Sequence, residues 1–347
     1  MPRGLPGVLR RASGPVFIPA SWLQPVRGAA GCTVASAGRE VFSIRFVKPG
    51  FLRTAALLLS FIVGALIPQA HVLAWLIRWL IMGMLFLVFL QTRLSREAIN
   101  RSHGWLLVAN LAMGFVAWGV GWVVGGRDVA LAAFFCGITP TATAAPVIVS
   151  FLRGRVDYVV AGFLVTNVVI AALVPVLLPL VLGHAAPTVF ADVTGSVGLV
   201  VFGPLVAAWL VRLVYARAAA WPKRLSNVSF GAWVVTLFLI TARVSEFLRT
   251  HTELPHSLLV KIAVVSLTVC LANFVLGRFI GGRNFPREAS QTLGQKNTTF
   301  TIYLALTYAN PLVAFGPTCY VLWHNLWNSW QLHLQARADA AGSAPSP

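Results

Sequence analysis

Apolar runs of membrane-spanning length follow one another along this chain from Phe51 almost to its C-terminus. A spanning helix needs roughly 20 predominantly apolar residues, and polar residues divide the runs into ten such stretches. Hydrophobic residues make up 58% of the 347 residues and charged residues only 10%, whereas charged residues are roughly a quarter of soluble domains. The sequence therefore predicts an all-α polytopic membrane protein with ten transmembrane helices.

The expected spans occupy approximately 51–68, 72–92, 104–124, 129–152, 157–182, 193–214, 229–248, 257–280, 288–308 and 311–334. They define a membrane domain at 49–335, followed by a flexible C-terminal tail at 336–347. Residues 1–48 are rich in Gly, Pro, Ser and Arg, which predicts a disordered basic leader. The Arg content also resembles an organellar transit peptide, although Pro and Gly oppose the amphipathic helix of such peptides. The other interpretations are a cytosolic tail and an over-extended start.

The basic residues of the loops indicate orientation, because loops rich in Lys and Arg stay on the cytoplasmic side. One set of loops, with the adjoining helix ends, holds only Arg78, Arg127, Arg243, Arg249 and Lys261. The opposite loops and the C-terminal tail hold Arg93, Arg96, Arg101, Arg153, Arg155, Arg212, Arg217, Lys223, Arg224, Arg278, Arg283, Arg287 and Arg337. We therefore expect a multi-pass protein of a bacterial inner membrane or plasma membrane, with both termini cytoplasmic.

Several function classes do not fit this composition. The net charge of +18 does not indicate nucleic acid, because the basic residues lie in short loops rather than among aromatics on a polar face. The four cysteines have no paired spacing, and neither His-Glu-x-x-His nor paired aspartates occur. We expect no metal site, no cofactor and no enzymatic activity. A channel is also disfavoured, because it would carry a polar stripe repeated by oligomeric symmetry, whereas the repeat expected here lies within one chain.

Two of the expected helices contain residues that oppose a continuous helix. The fourth span contains Pro140 and Pro146, each of which lacks a backbone donor, and the ninth contains the polar run from Gly294 to Thr299. These breaks lie five spans apart, and an odd number of spans per half predicts two inverted five-helix repeats, as in many secondary transporters. We expect the interrupted helices of spans four and nine to cross at a solute site. Such breaks also occur in purely structural membrane helices.

The same regions carry recognisable motifs. The first half has a stretch from Cys136 to Pro179 with a Thr-rich break and an Arg153-Gly154 turn. The second half has Gly294-Gln-Lys-Asn297, Asn310-Pro-Leu-Val-Ala-Phe-Gly-Pro317 and Trp323-His-Asn-Leu-Trp-Asn-Ser329. Over about residues 51–335 the chain resembles the bile acid:sodium symporter family. The resemblance implies a panel of spans one, two, six and seven and a core of spans three to five and eight to ten, which carry organic anions by alternating access.

The resemblance also identifies the positions that bind sodium in the family. Its members bind two sodium ions through a Ser-Asn pair on span four and a Glu and a Gln around the break of span nine. Here the pair falls on Ala145-Pro146, the Glu on Thr292 and the Gln on Lys296. None of the nine acidic residues lies at the centre of an expected span. Na⁺ is therefore doubtful, and we expect a carrier that works without it.

Lys296 is the ionisable side chain placed deep in an expected span, where a charge is costly and is by default a functional candidate. We hypothesise that its ammonium group occupies the space of a sodium ion, either as a fixed counter-charge for an anionic solute or as a titrating group. The alternative is a lysine that snorkels to the surface. Thr292 and Lys296 are the candidate ion or coupling residues.

The candidate substrate-binding residues come from spans three, four, five and nine. They are Asn110, Thr139, Thr141, Thr143, Thr166, Asn167, Gln295, Lys296, Asn297 and Thr298. The Thr and Asn side chains could instead satisfy freed backbone groups of neighbouring helices. His324 matches the family motif, and we expect it to bond across helices rather than to carry protons.

Taken together, these features predict a secondary transporter of a small organic anion that is independent of sodium. The alternatives are a sodium-coupled symporter with non-standard ligands and a non-transporting sensor or receptor on the same fold. The expected partners are the small organic anion and the lipid bilayer, and no nucleic acid.

Overall fold

Helices account for all regular secondary structure in the described part of the chain. The computed structural model describes residues 49–91, 98–183 and 186–342, so the leader expected at 1–48 lies outside the described residues. The α-helices are α1 (Pro49–Leu66), α2 (Leu76–Gln91), α3 (Arg101–Gly125), α4 (Arg127–Ile138), α5 (Ala145–Phe151), α6 (Val156–Leu182), α7 (Pro187–Val197), α8 (Gly203–Val214), α9 (Trp221–Arg224), α10 (Ser226–Thr250), α11 (His256–Gly281), α12 (Pro286–Gly294), α13 (Thr298–Tyr308) and α14 (Pro311–Gly342). A π-helical turn at Gly198–Phe202 joins α7 to α8.

Five helical segments within the described ranges are long and apolar enough to cross a membrane. They are Arg101–Gly125, Val156–Leu182, Pro187–Val214, Ser226–Thr250 and His256–Gly281, with mean hydropathy between 1.6 and 2.5. Large apolar side chains such as Val123, Trp209 and Phe279 are exposed along them. Water would penalise this arrangement and lipid would not. The expectation of an all-helical membrane protein is confirmed to this extent.

Both interruptions expected in the sequence are present in the structure. Helix α4 ends at Ile138 and α5 begins at Ala145. Thr139 takes an extended conformation with φ −50° and ψ 130°, because the ring of the following Pro140 disfavours the helical region for the residue before it. Helix α12 ends at Gly294, where Gln295 turns extended with φ −83° and ψ 102°. This second break contains no proline.

Glycines bring each interrupted helix into backbone contact with the helix that precedes it. A Cβ atom on Gly137 of α4 would lie 2.5 Å from the Met113 carbonyl oxygen of α3. A Cβ atom on Gly277 of α11 would lie 2.5 Å from the Ala289 carbonyl oxygen of α12. Small residues allow this approach between membrane helices. As a result, α3 supports the first break and α11 supports the second.

The last helix extends beyond the expected boundary at 335. Helix α14 continues to Gly342, and the Asp339 carboxylate lies 3.0 Å from the Arg153 guanidinium in the turn between α5 and α6. The Gln335 amide also donates to Asp339 Oδ1 at 2.9 Å, one helical turn away. These contacts extend the regular helix over the first residues of the segment expected to be a flexible tail.

Candidate functional site

The two interrupted helices meet at their breaks through main-chain hydrogen bonds. The Ala142 N–H donates to the Gln295 carbonyl at 2.7 Å, and the Asn297 N–H donates to the Pro140 carbonyl at 2.8 Å. These bonds form a short antiparallel bridge between Thr141 and Lys296. Buried backbone groups that leave a helix need partners, and here each break supplies them to the other.

Buried hydroxyl and amide groups brace this crossing from the neighbouring helices. The Thr141 hydroxyl donates to the Thr292 carbonyl at 2.6 Å, which links the first break to α12. From α6, Thr166 Oγ1 lies 2.9 Å from Thr141 Oγ1, and the Asn167 amide donates to the Thr141 carbonyl at 2.8 Å. Thr139 bonds to Thr301 of α13 at 2.8 Å. The sequence-predicted residues of spans four, five and nine are therefore brought together.

Lys296 directs its ammonium group into the end of α4. Only 1% of the residue is exposed, and Nζ donates to the Gly137 carbonyl at 3.1 Å and to Asn110 Oδ1. The Asn110 amide also donates to the Ile138 carbonyl at 2.9 Å. These carbonyls belong to the last turn of α4, where a helix presents its negative end. Lys296 is therefore buried rather than snorkelling.

No carboxylate balances this charge among the described residues. The ion pairs found there join Arg153 to Asp339 and Arg155 to Asp157, all at exposed or partly exposed positions. The attraction at Lys296 comes instead from a carbonyl dipole, an amide oxygen and the end of a helix. An unpaired buried charge is costly and in a membrane protein marks a functional site by default.

The oxygen atoms around the Lys296 ammonium group are engaged by it. A sodium ion needs several oxygen ligands, and the Gly137 carbonyl and Asn110 amide oxygens already accept from the ammonium group. Ala145 and Thr292 offer no carboxylate to replace them, and the Thr292 hydroxyl donates to the Glu288 carbonyl at 2.8 Å. Within the described ranges, no group of three His, Cys, Asp or Glu side chains converges to hold a metal.

A cavity of about 220 Å³ lies between the crossing and helices α2 and α10. Its wall on the side of α2 and α10 is largely apolar and includes Ile81, Met84, Leu85, Val88, Phe230 and Trp233. Polar groups come from both breaks, from Ser226 and Ser229 at the start of α10, and from His324 of α14. Such a combination of apolar wall and few polar groups is typical of small-molecule sites.

The sequence-predicted residues divide into two sets at this cavity. Thr143, Gln295, Lys296, Asn297 and Thr298 line it. Asn110, Thr139, Thr141, Thr166, Asn167 and Thr292 lie outside its lining and bond to backbone or side chains of the two breaks. The first set is placed to contact a solute, whereas the second set holds the breaks in position.

His324 has a different environment from the one expected. It is 2% exposed and lines the cavity, yet neither ring nitrogen has a hydrogen-bond partner among the described residues. Its ring contacts Tyr320 edge-on, at 5.7 Å between centroids. The expected bond across helices is therefore not found there. Both nitrogens are buried without a partner beside the cavity, which is unusual for polar groups. In the sequence, only the family motif pointed to this residue.

A chain of amides fixes α12 to α14 below the second break. The Asn328 amide donates to Gln295 Oε1, and the Gln291 amide donates to Asn328 Oδ1 at 3.0 Å and to Gln331 Oε1 at 2.7 Å. Gln291 and Asn328 are buried. Sequence reasoning missed this network, because residues 37 and 40 positions apart share no local pattern.

No known protein-family model matches the chain, and no curated protein matches it either.

Proposed function

We propose that the protein is a secondary transporter of the bile acid:sodium symporter type, which moves a small organic anion by alternating access without sodium. The observation that carries the proposal is the Lys296 ammonium group, bonded to the end of α4 at the crossing of two interrupted helices. In secondary transporters, freed backbone groups and half-helix ends at such a crossing bind solutes and ions. The ammonium group of Lys296 then takes the place of a bound sodium ion.

The proposed architecture has ten spans in two inverted halves of five. The broken pair α4 and α5 is the fourth span, and the broken pair α12 and α13 is the ninth. Each break follows a helix that it contacts through glycine, α3 in the first half and α11 in the second. The equivalent supports and the bridge between the breaks favour an internal repeat over two unrelated kinks.

The cavity favours a small, partly apolar anion. Its volume of about 220 Å³ is small for a ligand site, and the wall from α2 and α10 is largely apolar. Helix α13 begins at this cavity, and its N-cap Asn297 makes no side-chain cap bond. The positive end of the helix and Lys296 attract an anionic group, while His324 provides an unpaired polar contact.

Alternating access is supported by contacts at the two ends of the molecule. The cavity lies beside Ser226 and Ser229, at the start of α10. Toward the opposite end of the helices, the Tyr303 hydroxyl of α13 lies 2.8 Å from Ser196 Oγ of α7, and the Tyr308 hydroxyl donates to the Asp192 carbonyl at 2.9 Å. In the proposed panel and core, these bonds close the outer side while the cavity serves the cytoplasmic side.

Binding followed by counterflow tests the proposal. Purified protein is screened for thermal stabilisation by short-chain, hydroxylated and aromatic carboxylates and sulfonates, because ligands of the folded state raise the Tm. Each hit is then assayed as a radiolabelled solute in preloaded liposomes, with Na⁺ replaced by K⁺. We expect equal binding and equal exchange in both salts.

Substitution of Lys296 identifies its role in that assay. Lys296→Met keeps a long side chain without the charge, and we expect it to lose exchange. Lys261→Met is the matched control, because Lys261 of α11 is exposed, and it should retain exchange. Exchange that requires Na⁺ would favour the symporter alternative, and saturable binding without exchange a sensor. Full exchange by Lys296→Met would overturn the role of the lysine.

A further inference from the structure

A second cleft, separate from the central cavity, lies where α11, α12 and α14 meet. It encloses about 500 Å³, more than the central cavity. The residues that line it include Arg278, Arg287, Trp327, Trp330, Gln331 and Leu334. None of them lines the central cavity, and none has been used in the proposed transport cycle.

Two arginines give the cleft its positive charge. Arg278 lies in the last turn of α11 and Arg287 in the first turn of α12, and both side chains are exposed. Arg278 makes no hydrogen bond or ion pair with other described residues. Arg287 uses Nη1 to bond the Leu152 carbonyl at 2.9 Å and Gln335 Oε1 at 3.2 Å. A guanidinium group has five N–H donors, so Arg287 retains donors for an anion.

The nearest carboxylates along these helices are engaged elsewhere. Glu288 follows Arg287 in α12, but its Oε1 accepts from the Arg155 N–H at 2.8 Å. Asp339 of α14 pairs with the Arg153 guanidinium at 3.0 Å. The two arginines of the cleft are therefore not neutralised by an ion pair among the described residues.

Trp327 lines the same cleft and carries an unsatisfied donor. Its ring stacks on Phe274 at 5.2 Å between centroids and lies 5.0 Å from Trp330. The indole Nε1 is buried and has no hydrogen-bond partner in the described part of the chain. Buried indole N–H groups normally have an acceptor, and none of the described residues supplies one here.

The walls of the cleft indicate that its occupant is also apolar. Val275, Trp330 and Leu334 line it and are exposed, on helices whose outer faces carry apolar side chains. A soluble anion would leave this surface uncovered. An anion attached to hydrocarbon chains would cover it and place its charge beside the arginines.

We propose that this cleft binds the headgroup of an anionic phospholipid. The phosphodiester accepts from Arg278 and Arg287, an ether or ester oxygen accepts from the Trp327 indole, and an acyl chain packs along Val275 and Leu334. Arg recognises phosphate oxygens through strong charge-assisted bonds, and basic pockets between membrane helices bind anionic headgroups. The site does not depend on the solute or on transport.

Lipid titration of the full-length protein in neutral detergent tests this assignment. Dioleoyl phosphatidylglycerol and dioleoyl phosphatidylcholine have the same acyl chains and differ in headgroup charge. We expect phosphatidylglycerol to raise the Tm at lower concentrations than phosphatidylcholine. Arg278→Gln should weaken the phosphatidylglycerol effect about tenfold in concentration, because it removes charge-assisted bonds. Arg224→Gln, which removes an exposed arginine of α9 outside the cleft, should leave the effect unchanged.

A second variant and a soluble probe complete the experiment. Trp327→Phe keeps an aromatic ring on Phe274 and removes the N–H. Because both lipids carry the same ester oxygens, it should weaken the stabilisation by both of them and leave the preference for phosphatidylglycerol in place. Equal stabilisation by both lipids, or equal loss in Arg278→Gln and Arg224→Gln, would overturn the proposal. Glycerol phosphate that stabilises as strongly as the lipid would assign the cleft to a soluble anion instead and overturn the lipid assignment.

Discussion

Among the described residues, the ammonium group of Lys296 meets two oxygen atoms and no carboxylate, so its desolvation is only partly compensated. What favours the burial is the position of the charge at the negative end of α4, beside carbonyls that the break leaves without helical partners. Asn110 takes part twice, since its oxygen accepts from Lys296 and its nitrogen donates to the Ile138 carbonyl. The lysine and the asparagine should therefore act as a unit.

A double-mutant cycle measures the coupling free energy between Lys296 and Asn110. Asn110→Leu should lower the free energy of unfolding by about 1.5–3 kcal/mol, because it leaves a buried charge short of an acceptor. In a Lys296→Met background the same change should cost clearly less, since the charge has gone. Unfolding midpoints in detergent provide the measurement. The control is Asn325→Ala, which removes a bond to Val321 within α14 and should lower the free energy of unfolding equally in both backgrounds. If Asn110→Leu also lowered it equally in both backgrounds, the coupling would be contradicted.

His324→Phe separates solute binding from stability. The phenyl ring can keep the contact with Tyr320, and it replaces two unpaired buried nitrogens with carbon. We expect the Tm to hold or rise, since unsatisfied buried polar groups are destabilising, while solute exchange falls. Thermal unfolding and counterflow on the same preparation provide the two readouts. A lower Tm with unchanged exchange would mean that His324 has a structural partner.

At the scale of the helices, the sequence predicted where the chain breaks but not how the breaks are joined. Pro140 and the polar run after Gly294 mark both interruptions through local chemistry alone. The bonds from Ala142 to Gln295 and from Asn297 to Pro140 join residues about 150 positions apart, and no local pattern encodes them. The continuation of α14 past 335 was not predicted either. It is accompanied by the contact of Asp339 with Arg153, which is distant in the sequence.

The glycine contact between α3 and α4 should tolerate no side chain. Gly137→Ala places a Cβ 2.5 Å from the Met113 carbonyl oxygen and must separate the two helices, which we expect to cost about 1–3 kcal/mol. Gly119→Ala in α3 is the matched control, because a Cβ there meets no described residue within 4 Å. It should be neutral or stabilise by up to about 1 kcal/mol. Unfolding midpoints compare the two, and equal effects would refute the tight approach.

For the whole molecule, the decisive question is whether the interrupted segments cross the bilayer. Five segments of the described chain meet the length and hydropathy of a span, whereas the two halves of each broken helix are too short to do so singly. A ten-span protein requires α12 and α13 to cross together as one segment. Their polar residues can remain at membrane depth because the first break and α14 satisfy them.

Single cysteines at the two ends of the broken pair test that crossing. Asn284, before α12, and Thr307, near the end of α13, are both exposed. In a Cys32→Ser background, where the remaining cysteines are buried, we expect a membrane-impermeant maleimide to label Thr307→Cys in intact bacterial cells. Asn284→Cys should react only after permeabilisation, because basic loops stay cytoplasmic, and the background chain should not react. Labelling of both cysteines from one side would place α12 and α13 as a re-entrant hairpin and remove the basis for ten spans.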